Sequence, residues 1–405
     1  MYITGGTYLE HIDFYGFKNI YGSAVRAAAA TANISDEDVS LVTCSADRYS
    51  GTLRSHKDAY GFNLAIQETI DQAIGFWYYH GLDDGELIGF SDTELECILS
   101  VSDAAAVLRF GMVEGTAVVS GERVVYDPQS LDPEPFHANG SEADDLALVL
   151  NEAEAEAWSG SSGTRKSGNK LLQYPDVETV VIKRGPKGVM VFTDTQTQLV
   201  PSYRTDYVWP VGSGDVFSGV FAYYWAVEGE DPVSAANKAS VAAAYFCDTR
   251  ILPIPKCPAS ENHFTGEKLS TPVNGSSRSQ IYIASPFFTL GQRWLVNETR
   301  RSLLDMGIDV FSPVHDVGSA QEISKPEEIA SSDLKGLRSS DAVLALIDEN
   351  DSGTHIEIGY ARNEDIPVVA YAHQIDERHR TMMEGTGCRI FNHFPTAVYQ
   401  AVWAT

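Results

Sequence analysis

The chain has 405 residues, 43% hydrophobic and 21% charged, a composition that suits a soluble globular protein with room for two domains. Its 56 acidic against 29 basic residues give a formal net charge of −27, which opposes extended contact with nucleic-acid phosphates but not local capture of small anions at helix N-termini. No apolar run reaches the ~18–20 residues of a membrane span, and the opening MYITGGTYLEHIDF lacks the basic-then-apolar pattern of a secretory signal.

Five dispersed cysteines without a CxxC pair read as free thiols of a reducing compartment, so a cytoplasmic location is expected. In chain order, apolar runs predict strands at Ser40–Cys44, Ala117–Val119, Val124–Tyr126, Ala147–Leu150, Val177–Ile182 and Gly188–Phe192. Helices are predicted at Ser23–Ala32, Asn63–Ala73, Ser91–Val101, Glu152–Trp158, Asp215–Val227 and Pro232–Phe246. Gly185-Pro-Lys-Gly188 reads as a tight hairpin between two strands. Residues 252–279, rich in Pro, Ser, Gly, Asn and Thr, read as a linker between domains 1–251 and 280–405.

Beyond the linker, strands are predicted at Gln280–Ala284, Asp309–Ser312, Ala342–Ile347 and Pro367–Tyr371. They alternate with helices at Arg293–Met306, Lys325–Arg338 and His355–Glu364. Such alternation implies a small parallel sheet with ligands at the C-terminal ends of its strands.

Two stretches carry chemistry. In Val211-Gly-Ser-Gly-Asp-Val-Phe-Ser-Gly219 a Gly-rich turn leads into an apolar helix. Backbone N–H groups there can cradle phosphate, and Asp215 can take a proton from an attacking alcohol; a plain Gly-Asp helix cap would look the same. In Asp351–Ala361, DSGTHIEIGYA, a buried strand and a polar turn containing Gly353 lead to Glu357 at a helix start. A carboxylate so placed can act as a nucleophile on a sugar carbon while a second acid handles a proton.

Strand-Asp127-Pro-Gln, then Leu148-Val-Leu-Asn-Glu-Ala-Glu154, then VVIKRGPKG, then GSGD, resembles the PfkB (ribokinase-like) family of sugar and nucleoside kinases over roughly residues 1–250. The resemblance implies Asp215 as catalytic base and the backbone of Gly212, Ser213 and Gly214 as anion hole. Asn151 and Glu154 would organise Mg2+ and phosphate, with no direct protein metal ligand. Gly185 and Gly188 would lie near ATP, and Asp13 would hold sugar hydroxyls. The chain departs from the family at Trp209-Pro210, where Asp-Thr is usual. It departs again at Arg26, which replaces an amide in Tyr21-Gly22-Ser-Ala-Val-Arg26. Arg26 would either pair with an anionic substrate group or mark a decayed site.

IYIASPFF, Asp333, SSDAVLALID, DSGTHIEIGYA and IPVVAY, in that order, resemble the nucleoside 2-deoxyribosyltransferase family over 280–375. The resemblance implies Glu357 as the nucleophile on C1′ of a nucleoside. Asp351 and Asp333 would hold and protonate the departing base. Tyr282 would orient Glu357, while Ser285, Pro286, Phe287 and Gly353 would line the substrate pocket. No cofactor is implied for this domain. Family members complete the site from a neighbouring subunit, so a homo-oligomer formed through the C-terminal domain is expected. The matching run here, Arg378–Met383, lacks the usual Asn-Leu-Met. Arg378, His379 and Arg380 would face a 5′-phosphate or lie in a solvated loop. Related 5′-monophosphate N-hydrolases use the same Glu with water as acceptor; the presence of Asp351 favours a nucleoside base as donor or acceptor.

The expected fold is α/β, a ribokinase-like domain followed by a smaller flavodoxin/Rossmann-like parallel sheet. The expected function is a bifunctional enzyme acting on small-molecule nucleosides, nucleotides or sugars. The alternative is a nucleotide-binding regulatory or defence protein with a degenerate kinase half.

Overall fold

The computed structural model describes residues 1–405 except 36, 71–72, 90–96, 262–263, 270–278, 319–324 and 350. The chain forms two compact units. The first is Met1–Thr205 with Trp209–Ser270, and the second is Asp206–Val208 with Thr271–Thr405. Each is α/β. Among the described residues no helix is long and apolar enough to cross a membrane.

The first unit is built on a nine-stranded sheet. From one edge its strands are Thr197–Val200, Val189–Phe192, Val177–Lys183, Glu142–Asn151, Gly115–Asp127, Cys97–Phe110, Tyr2–Gly6, Ser40–Ala46 and Asn63–Ile70. All neighbours are parallel except the two pairs at the Thr197–Val200 edge. The antiparallel pair Val177–Lys183 and Val189–Phe192 is the expected hairpin around Gly185–Gly188. Central strands read as unbroken apolar runs because both faces are covered: Leu146 through Leu150 are all within 1% of full burial.

Parallel strands end together, so the C-termini of three of them bring Asp127, Asn151 and Lys183 to one sheet edge. A smaller four-stranded sheet runs in the order Phe17–Ile20, Leu9–Ile12, Gly75–Tyr78, Glu86–Ile88. It carries Glu10 and Tyr78.

Two helix expectations fail. Asn63–Ile70 is a strand paired in parallel with Ser40–Ala46; its apolar residues Leu64 and Ile66 recur at period two, and sheet pairing overrides helical propensity. Of the predicted helix Ser91–Val101, residues 91–96 lie outside the described residues. From Cys97 the chain is a strand with Cys97, Leu99 and Val101 buried and Ile98 and Ser100 exposed. The two short strands predicted at Ala117–Val119 and Val124–Tyr126 are parts of one strand, Gly115–Asp127. In the predicted linker, residues 252–261 and 264–269 belong to the first unit. Ile254 is buried and its N–H donates to the Ala30 carbonyl at 3.2 Å, and Glu267–Lys268 pairs with Tyr203–Arg204. Residues 270–278 of that linker lie outside the described residues.

The second unit holds a five-stranded all-parallel sheet. The order is Asp309–Phe311, Gln280–Ala284, Ala342–Leu346, Val368–Tyr371, Arg389–Phe391. Counting along this unit, the strand order is 2-1-3-4-5, a doubly wound arrangement. Its core gathers Tyr282, Ala284, Val343, Ala345, Ile347, Ile358 and Ala361. The topological switch lies between Gln280–Ala284 and Ala342–Leu346. Ser285–Phe287 follows the first of these strands, and the turn to Asp351 follows the second.

Candidate active sites

In the first unit the helix Ser213–Ala222 starts from Gly212, whose φ of 82° suits glycine. A Cβ there would come within 2.2 Å of Arg26 Nε, so the bare backbone makes room for the guanidinium. Arg26 projects from the helix Ser23–Thr31 and is buried. Its Nη1 donates to Asp215 Oδ2 at 2.7 Å, and its Nη2 pairs with Glu10 Oε2. Burial works against its charge, but the carboxylates of Glu10 and Asp215 more than offset this and hold it protonated. Gln129 Nε2 donates to Asp215 Oδ1 at 3.0 Å while its own Oε1 accepts from Ser23 Oγ at 2.6 Å. Both oxygens of Asp215 are therefore engaged.

These groups line a cavity of about 560 Å3 with Glu10, Arg26, Tyr78, Gln129, Gly212 and Asp215 on its walls. Asp13 lies elsewhere. It is exposed at the end of the small sheet, 4.0 Å from His11 Nε2, and is not among the cavity residues. Glu10, three residues earlier, occupies the wall instead; period two along Leu9–Ile12 turns Glu10 and Ile12 inward. Trp209 is buried against Phe17 and Tyr15, with Arg250 over its ring, so the Trp-Pro departure fills a core niche while Pro210 faces the cavity.

Asn151 and Glu154 form a capping box at the start of Glu152–Ser159. Each side chain accepts from the other's backbone N–H at 2.8 Å. This leaves Glu154 Oε1 outside the box. Burial, reinforced by Asp127, pushes Glu154 up to about 7. Such a pair suits contact with the water shell of a Mg2+ carried by nucleotide better than direct ligation. Among the described residues no group of three or more His, Cys, Asp or Glu is placed to hold a metal. Gly185 and Gly188 sit in the hairpin, outside the cavity walls. Glu152 ties that hairpin down through Arg184 at 3.0 Å and Lys187 at 2.9 Å.

In the second unit Tyr282 stands on the first strand, fully buried and stacked on Phe311 with ring centroids 5.5 Å apart. Its hydroxyl donates to Glu357 Oε1 at 2.6 Å. Burial is the main cause of a Glu357 carboxyl pushed up to about 7. Asp333 and Asp351 add to it, and the Tyr282 bond opposes it. Asp333, on the helix Pro326–Arg338, is raised to about 6 by burial, and among the described residues its Oδ1 is buried without a hydrogen-bond partner.

Asp351 caps the helix Ser352–Asn363, its Oδ2 accepting from Thr354 N at 2.7 Å and Thr354 Oγ1 at 2.9 Å. Gly353 lies in that first turn, where a Cβ would sit 3.1 Å from Asp351 Oδ2. Ser285 Oγ donates to the Pro286 carbonyl at 2.8 Å, and Phe287 packs against Phe288. The structure thus brings Tyr282, Asp333, Asp351 and Glu357 into one electrostatic cluster. Arg378 pairs with Asp376 and Arg380 with Glu384, so these arginines are solvated partners of acids beside them in the chain.

Glu10 escaped the sequence reading, and Asp127, Gln129 and Lys183 stood within quoted motifs without a role of their own. The available signals were the Asp-Pro-Gln strand end and a lysine closing an otherwise apolar strand, neither of them specific without the fold.

Residues 124–250 match the model of the pfkB family carbohydrate kinases, and residues 281–391 match that of the nucleoside 2-deoxyribosyltransferases. A kinase region of PfkB/ribokinase type and a nucleoside 2-deoxyribosyltransferase-like region are therefore both present in one chain. Among curated proteins, the deoxyribokinases of Salmonella typhi and Salmonella typhimurium are each 32% identical to it over 106 residues. That match covers 25% of this chain and 34% of each relative, about a third of the relatives' length. Among solved structures, fructokinase from Vibrio cholerae O395, with fructose, ADP and calcium bound, is 14% identical with a TM-score of 0.47. It covers 60% of this chain and 90% of that one.

Proposed function

We propose that the chain is a bifunctional enzyme of nucleoside metabolism. Its second unit cleaves or exchanges the N-glycosidic bond of a 2-deoxynucleoside, and its first unit phosphorylates a sugar or nucleoside hydroxyl from ATP. The observation that carries the first activity is the 2.6 Å bond from buried Tyr282 to Glu357 at the switch point of a doubly wound sheet. Glu357, ionised, attacks C1′; the bond to the base breaks and its electron pair leaves with the base. Asp333, raised to about 6, supplies the proton that the base needs. Water or a second base then attacks C1′ and releases Glu357. Tyr282 keeps its proton throughout and aims the carboxylate.

In the first unit Asp215 takes the acceptor's hydroxyl proton and the Gly212–Gly214 backbone faces the phosphate; Asn151 and Glu154 would hold the water shell of a nucleotide-borne Mg2+, which would screen phosphate charge. The name of the Salmonella relatives supports free 2-deoxyribose, the sugar a hydrolytic second unit would release, as the acceptor.

Chromatography of a nucleoside and nucleotide panel tests the second-unit activity. Wild type is expected to release base, and Glu357→Gln to lose at least about 1,000-fold in rate with its melting transition retained. Full activity in that variant ends this mechanism.

A second reading applies to the first unit alone: it binds a nucleotide or sugar without turnover. It is favoured by Arg26 and Gln129 occupying both oxygens of Asp215. ATP consumption with sugars and nucleosides, with Asp215→Asn as control, separates the two. Binding without consumption supports the sensor.

A further inference from the structure

The kinase roles above use Asp215, the Gly212–Gly214 backbone and the Asn151/Glu154 box, and they leave Lys183 unused. Lys183 ends the strand Val177–Lys183, where its ammonium meets the fully buried Asp127 Oδ2 at 2.6 Å and Ser218 Oγ at 3.4 Å. Ser218 Oγ donates to the same Asp127 oxygen at 2.7 Å. Among the described residues Asp127 Oδ1 is buried without a partner, and its other oxygen holds the lysine.

A buried ion pair is weak evidence of stabilisation, because desolvation offsets most of its Coulombic gain. Here the pair aims a charge. The ammonium lies 3.7 Å from where a Cβ at Gly214 would be, directly under the turn that opens the helix Ser213–Ala222. The ammonium therefore lies beside the first turn of that helix. The Lys183 side chain stays 17% exposed while Asp127 is sealed, as expected of a group that must reach a ligand.

We propose that Lys183 is a further catalytic residue of the first unit, an ammonium that bonds the phosphoryl group in transit between a nucleoside triphosphate and the acceptor. The inference rests on the kinase reading. In the step, the acceptor O–H proton passes to Asp215 and a bond forms from that oxygen to the γ-phosphorus. The bond from the γ-phosphorus to the β–γ bridging oxygen breaks, and the nucleoside diphosphate leaves with its electron pair. Lys183 keeps its proton and, with the helix-start N–H groups, neutralises charge on the equatorial oxygens. Asp127 and Ser218 are positioning residues for it.

The experiment uses the full chain with ATP, Mg2+ and a sugar and nucleoside panel including 2-deoxyribose. Lys183→Gln is expected to lower kcat by roughly 100-fold or more, as removal of one transition-state donor does. The acceptor KM should stay within about threefold, and Lys183→Arg should recover most of the loss. Titration of ADP alone and with aluminium fluoride, a mimic of the phosphoryl in transit, gives a readout apart from turnover. Wild type should bind the mimic more tightly than ADP alone, and Lys183→Gln should lose that gain while still binding ADP. If Lys183→Gln does not fold, the neutral pair Lys183→Gln with Asp127→Asn replaces it. A folded variant with unchanged kcat, or with the aluminium fluoride gain intact, overturns the role of Lys183 and leaves the kinase reading standing. A wild type that neither transfers phosphate nor binds ADP overturns both.

Discussion

At the scale of single residues, the decisive groups are acids whose burial sets their protonation. Glu357 titrates at about 7 in the fold against 4.5 when unperturbed, so its nucleophilic form grows in as pH rises through about 7. Because Asp333, raised to about 6, must still hold the proton it gives to the base, base release is expected to peak between about pH 6 and 7 and to fall on either side, read as kcat/KM against pH. The same shift has a stability consequence of opposite sense. A carboxyl whose folded pKa is raised contributes stability that is complete below 4.5 and is lost as pH rises through about 7. Glu357→Gln, never ionised, should melt close to wild type at pH 4. At pH 8 it should be more stable than wild type, by no more than about 3.4 kcal/mol for a rise of about 2.5 pH units at roughly 1.36 kcal/mol each. Equal melting at pH 8 would show that the carboxyl is not strained. Arg26 is the converse case. Removing it as Arg26→Ala strands the buried Glu10 and Asp215 charges without their cation. The unfolding free energy from urea titration is expected to fall by about 3–5 kcal/mol.

At the scale of elements, local chemistry starts the helices that matter. Asp351 was legible in DSGTHIEIGYA as an acid before a helix, and it is bonded as a cap, with two bonds to Thr354. Asp351→Ala is expected to destabilise the second unit by about 1 kcal/mol through loss of the cap. It should also lower the midpoint of the pH–rate profile, because the Asp351 charge helps to raise Glu357. A variant that loses stability with no change in the profile would assign Asp351 to the helix alone.

Apolar runs announced Ser40–Ala46, Gly115–Asp127, Glu142–Asn151 and Val177–Lys183 in the first sheet and four of the five strands in the second, and strand–helix alternation announced the helices around Glu357. The misreadings fell where periodicity is short. Asn63–Ile70 offers only a few apolar positions, and pairing with Ser40–Ala46 decided its state. Tyr2–Gly6, a central strand, is small and Gly-rich and carries no apolar alternation to announce it.

At the scale of the whole molecule, two α/β units each bring strand ends together and build a site there. The net charge of −27 bears on what those sites meet. Duplex DNA should show no mobility shift with the protein even at about 50 mM salt, where phosphate contacts are strongest; a salt-sensitive shift would reveal a basic face that the composition hides.

By itself the amino-acid sequence determined the two family resemblances, the α/β class, and Glu357 and Asp215 as the acids to watch. These lie in contiguous motifs whose spacing survives without a fold. Only the tertiary structure decided that Glu10 rather than Asp13 lines the cavity, that Arg26 lies between two carboxylates, and that Lys183 lies beneath Gly214. Such facts join residues as far apart in the chain as Arg26 and Asp215. A strand's face and a parallel sheet's shared edge set those distances, and no local pattern encodes them.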